Sequence, residues 1–185
     1  MGKSVQRPNS PLSTNPNPFK RLVVVVDMQT LPPSATSFHG PVSRGINRIN
    51  HLLRVAQEMK IPSVFVEPLP IVIPQHPQIW DSTAQFFRRT SFNLLDNSDF
   101  AAFLQSNQLR EIVLCGYSRR FAIAATARDA IKRGYKVITS DQILFGDGLL
   151  EELAAFRDLL SLRRLFVDNG HYFRSTSKLM ASLYP

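Results

Sequence analysis

The run Leu22-Val23-Val24-Val25-Val26 carries no polar alternation and ends on Asp27. A strand buried on both faces reads this way, as strands of a parallel sheet do. Pro41-Val42-Ser43 then opens a segment in which Ile46, Ile49, Leu52, Leu53 and Ala56 recur at helical spacing, which predicts an amphipathic helix. Pro62 to Glu67 supplies a second strand, and residues 68–85 form a proline-rich excursion around Trp80, too irregular for a core element. Ser98 to Gln105 reads as a short helix with Ser98 as its N-cap. Ile112 to Cys115 is a third buried strand, followed by a glycine turn at Gly116 and a helix with small residues in its first turn, stopped by Gly134. Tyr135 to Asp141 is the fourth strand; a helix from about Leu149 to Leu160 precedes a last strand, Arg164 to Val167. Strand-helix-strand alternation of this kind predicts a doubly wound α/β fold, a three-layer sandwich on a five- or six-stranded parallel sheet.

The 185 residues suit one domain with a sizeable core, and neither an internal repeat nor a second core is visible. Residues 1–20 read as a flexible arm or a tail embracing a partner in a homo-oligomer, since residues 1–19 hold four prolines, three asparagines and three serines. Residues 21–185 form the domain. No apolar run reaches the roughly 18 residues that span a bilayer, so no membrane partner is expected. A single cysteine excludes an internal disulfide and fits a reducing, cytoplasmic setting. The net charge of +8 invites a nucleic-acid reading, but the basic residues are scattered and no nucleic-acid signature stands out. Arginines gathered near a pocket would instead favour an anionic small molecule. The four histidines are isolated, and neither a metal set nor a cofactor motif is present.

The most informative stretch is Cys115-Gly116-Tyr117-Ser118-Arg119-Arg120-Phe121-Ala122-Ile123-Ala124-Ala125-Thr126-Ala127-Arg128-Asp129-Ala130. It places a glycine turn and a helix start at the carboxyl end of a buried strand, where doubly wound folds bind ligands. With the apolar run ending in Asp27-Met28-Gln29 and the triplet Thr90-Ser91-Phe92, it resembles the isochorismatase-like hydrolase superfamily. The resemblance covers residues 21 to about 145 and rests on three blocks in the correct order.

That resemblance implies Asp27 as general acid/base, a lysine four residues before the small-small-Phe triplet, and a nucleophilic cysteine at the helix start. Here the lysine position falls on Phe86 and the cysteine position on Ala122. Without a nucleophilic atom the covalent route is closed. Vinyl-ether hydrolases of the superfamily also lack the cysteine and protonate their substrate through the aspartate, although they keep the lysine. Arg88 and Arg89 lie close to the lost lysine; Arg88 matches a common basic position, and an arginine there neutralises Asp27 or holds a carboxylate without shuttling protons. Phe86 beside Asp27 would desolvate the carboxylate and raise its pKa. Trp80, Phe86, Arg88, Tyr117, Ser118, Arg119 and Ala122 are therefore the candidate ligand-binding residues around Asp27. Cys115, inside its strand, reads as a small packed hydrophobe. Two functions follow: cysteine-independent acid/base chemistry on a small anionic or aromatic metabolite, or a catalytically silent pseudoenzyme binding a metabolite or partner protein.

Overall fold

The computed structural model describes residues 20–28, 41–68, 84–117, 119–145, 172–173 and 175–184. Its elements are β1 (Arg21–Val26), α1 (Pro41–Glu58), β2 (Ser63–Pro68), β3 (Gln85–Arg89), α2 (Ser98–Ser106), β4 (Glu111–Gly116), α3 (Ala124–Lys132), β5 (Lys136–Ser140), β6 (Tyr172–Phe173) and α4 (Thr176–Ala181). The strands form one six-stranded sheet in the order β3-β2-β1-β4-β5-β6, every adjacent pair parallel. This is the expected doubly wound α/β sandwich.

The valine run explains why β1 is central. Leu22, Val24 and Val26 pack with Phe100, Phe103 and Leu104 of α2 and with Ala124, Ala127 and Ala130 of α3. Val23 and Val25 face the other way, toward Ile49, Leu52 and Leu53 of α1 and Leu179 of α4. Side chains alternate across a strand, so an all-apolar run is what two helical layers demand.

Local details differ from the sequence reading in three places. The strand β3 begins where the segment read as irregular ends and was not expected; as an edge strand its exposure alternates, and its two arginines masked its strand character. The cap of α2 is Asn97, whose side chain accepts from the Phe100 amide, rather than Ser98. One turn of π-helix, Arg119–Ile123, precedes α3. The edge strand beside β5 is Tyr172–Phe173, whereas the expected helix 149–160 and strand 164–167 lie outside the described residues, as do residues 1–19.

At the amino edge of the sheet, Glu111 accepts from Arg21 Nε at 2.6 Å and Lys136 Nζ at 2.9 Å. Arg21 also donates to the Ser182 carbonyl beyond α4 at 3.3 Å. These bonds tie the starts of three strands and the C-terminal helix together, far from the carboxyl edge where ligands bind in such sheets.

Candidate active site

The carboxyl edge of β1 turns sharply. Asp27 has φ +54°, in the left-handed region that aspartate tolerates better than most residues. Its backbone amide still bonds the Val66 carbonyl of β2 at 2.9 Å. Beside it, β4 ends in Gly116 at φ +119°. A Cβ there would stand 2.2 Å from the Val26 carbonyl oxygen, so only glycine lets the two strand ends close together. The Tyr117 amide completes that approach by donating to Val26 at 2.8 Å.

Asp27 is 3% exposed and Arg89 9% exposed. Arg89 Nε donates to Asp27 Oδ1 at 3.0 Å, its Nη2 donates to Oδ2, and its Nη1 donates to the Ser91 carbonyl at 3.0 Å. The guanidinium fork thus meets both carboxylate oxygens, the bidentate geometry arginine suits best. Burial pushes the Asp27 carboxyl above its ordinary value, and the Arg89 bonds and charge pull back without cancelling that rise. A buried carboxylate loses its hydration, which favours the neutral acid.

The structure separates the sequence candidates. Arg89, not Arg88, meets Asp27. Along β3, Phe87 and Arg89 are buried while Phe86 and Arg88 are exposed. Phe86 therefore stands on the opposite face, stacked on Phe65 with centroids 5.4 Å apart. The rise in Asp27 comes from general burial rather than from Phe86. Arg88 instead sits in register with Glu67, whose carboxyl is raised by burial and held back by the Arg88 charge. Tyr117 is buried in the core facing α1. Ala122 is fully buried, in the same cluster as Val26, the residue before Asp27. Trp80, Ser118 and the side chain of Arg119 lie outside the described residues. Cys115 is buried, its thiol directed at the Val24 carbonyl at 3.6 Å, and burial pushes its pKa up.

Sequence reasoning missed three further features. Asn93 donates to Asp129 at 2.9 Å, and the Leu94 amide donates to Thr126 Oγ1 at 3.0 Å. Thr126 and Asp129 of the helix motif thereby pin the loop after β3 onto α3. Phe92, on that loop, stacks on Phe121 of the π-turn at 5.1 Å, and the Arg89 guanidinium lies 5.7 Å from the Phe92 centroid. For Arg89 alternation becomes a signal only once the pairing of β3 shows Phe87 to be the buried phenylalanine, because Arg89 lies two residues beyond it and shares its face.

The chain and its fold have counterparts among known proteins. The Isochorismatase domain of known protein families matches residues 21–141. The chain belongs to the isochorismatase domain family. It is 25% identical over 178 residues to isochorismatase domain-containing protein 2 of Danio rerio, covering 89% of this chain and 88% of that one. Among solved folds, a cysteine hydrolase from Pseudomonas syringae superposes with a TM-score of 0.75 at 19% identity, over 95% of this chain and 98% of that one. The MAR1 ribonuclease from Caenorhabditis elegans does so with a TM-score of 0.69 at 17% identity, over 90% and 82%. In this isochorismatase domain, Ala122 and Arg89 stand at the helix start and beside the aspartate. Among the described residues no group of three or more His, Cys, Asp or Glu is placed to hold a metal ion, and no helix is long and apolar enough to cross a membrane.

Proposed function

We propose that the protein acts on a small anionic or aromatic molecule by acid/base chemistry at Asp27, without a covalent enzyme intermediate. The observation that carries this reading is Asp27 itself, a buried carboxyl with a raised pKa at the carboxyl edge of the central strand. A rise in a carboxyl's pKa moves it toward the operating range in which general acids work best. Its ionised form accepts hydrogen bonds through both oxygens, which is the chemistry that takes a proton from a ligand. Arg89 holds the carboxyl in place and supplies a fixed positive charge. Because a guanidinium does not release its proton at accessible pH, Asp27 exchanges protons directly with ligand or water. With alanine at position 122, a covalent adduct there is excluded.

A second reading has its own support. Arg89 uses Nε and Nη2 on Asp27 and Nη1 on Ser91, the arrangement of a structural clamp, and this favours a silent binding protein. Asp27→Asn separates the two. The amide keeps the shape and removes proton transfer. Under the first reading it lowers turnover roughly 10²–10⁴-fold while ligand-induced thermal stabilisation survives. Unchanged product formation in cells carrying Asp27→Asn leaves only the silent reading.

A further inference from the structure

The described surface exposes four large apolar side chains, Phe86, Phe92, Phe121 and Tyr184, with Phe92 at 55% and Phe121 at 45%. Phe86 has its partner in buried Phe65. Phe92 and Phe121 have each other, their rings 29° from parallel, and together they remain half in water. Leaving such rings exposed forgoes burial worth roughly 1.5–3 kcal/mol per side chain when complete.

Their placement is fixed from both sides. The loop bearing Phe92 is held by Ser91 Oγ bonding Asp96 at 2.7 Å, by Asn93 bonding Asp129, and by the Leu94 amide on Thr126. Phe121 sits in the π-turn, a distortion frequent at functional sites. Arg89 lies against Phe92 on one hand and bonds Asp27 on the other. The exposed stack is therefore next to the buried charged pair, at the edge where open α/β sheets take ligands.

We propose that Phe92 and Phe121 form the stacking platform for the planar ring of an anionic aromatic ligand. This rests on the small-molecule reading above and narrows its ligand class. Offset stacking on a phenyl ring selects planarity and contributes about 0.5–1.5 kcal/mol beyond burial. The charge follows from composition: the turn that carries Phe121 contains Arg119 and Arg120, and the chain carries +8. A carboxylated aromatic ring matches both features, whereas a second copy of this basic chain matches only the apolar one.

The test titrates full-length ¹⁵N-labelled protein with 2-naphthoate, cyclohexanecarboxylate and 2-naphthamide. The first is planar and charged, the second charged but not planar, the third planar but neutral. 2-Naphthoate is expected to shift the amides of residues 91–93 and 121–124 and to bind roughly three- to tenfold tighter than either control. Phe121→Leu and Phe92→Leu, both at exposed positions that leave the fold intact, are expected to remove the preference over cyclohexanecarboxylate. Equal affinity of the planar and non-planar acids overturns the platform while leaving a binding site at Asp27 standing. No shift near Asp27 or Phe121 with any probe overturns the platform, and Asp27→Asn turnover then decides the underlying reading separately. An oligomer that the Phe92→Ser/Phe121→Ser variant dissociates, with no naphthoate response, assigns the patch to a second copy and also overturns the proposal.

Discussion

Replacing Arg89 by methionine removes a buried charge and leaves its partner behind. Breaking a buried ion pair from one side costs about 3–5 kcal/mol, because the remaining charge is uncompensated. Here the remaining group is Asp27, 3% exposed and bonded by Arg89 at both oxygens, so a loss toward the lower end of that range is expected near pH 7.5. For a chain of this size that corresponds to a fall in melting temperature of roughly 10 °C. The pH dependence gives the sharper signature. Asp27 is raised by burial even with Arg89 present; without the guanidinium it rises further. A carboxyl with a folded pKa above its unfolded one binds more protons in the folded state, so its contribution to stability falls as pH rises through that window. The Arg89→Met deficit is therefore expected to shrink as pH is lowered from 7.5 toward 5, the direction that protonates Asp27. Asp27→Asn/Arg89→Met leaves no stranded charge and is expected to recover most of the loss. Urea unfolding of the four proteins at both pH values measures this. A deficit under about 1 kcal/mol at pH 7.5, or one equal at both pH values, refutes the reasoning.

Other consequences are independent of Arg89. Gly116→Ala places a Cβ 2.2 Å from the Val26 carbonyl oxygen at φ +119°; a loss of at least about 2 kcal/mol is expected in urea unfolding, and a neutral substitution contradicts the packing of the β1 and β4 ends. Burial alone would raise Glu111, but bonds from Lys136 and Arg21 hold its carboxyl below the ordinary range. Its stabilisation is present above the unfolded pKa of about 4.3 and lost as pH falls through the folded value, so the stability gap between wild type and Glu111→Gln should narrow between pH 6 and pH 3. Cys115 is buried with its thiol pKa pushed up; the folded protein should leave dithionitrobenzoate unreacted, and denaturant should release one thiol. Rapid labelling of the folded protein would falsify the packed-thiol assignment.

The valine run, the glycine turn and the small-residue helix were legible in the sequence because each is a local pattern with a single structural solution. So was Asp27, at the end of the most apolar strand. Arg89 was not, since two adjacent arginines at the carboxyl end of an edge strand differ only in which face they meet. That face is set by the pairing of β3 with β2, Phe86 opposite Phe65 and Phe87 opposite Val66, a tertiary register that local sequence does not carry. The aromatic pair was hidden for a related reason: bonds from Asn93 and Leu94 to α3 carry Phe92 toward Phe121. Conversely, Thr126 and Asp129 belong to the motif that points to chemistry, yet both serve to anchor the loop.

The proton on Asp27 decides between an acid and a clamped carboxylate. A ¹³C-detected NMR titration of the aspartate carboxyls, with the Asp27 signal assigned by its absence in Asp27→Asn, reads it directly. The expected midpoint lies above the ordinary aspartate value of about 3.9 and moves higher in Arg89→Met. A midpoint at or below that value would mean that Asp27 stays ionised under its arginine clamp, contradicting its role as an acid.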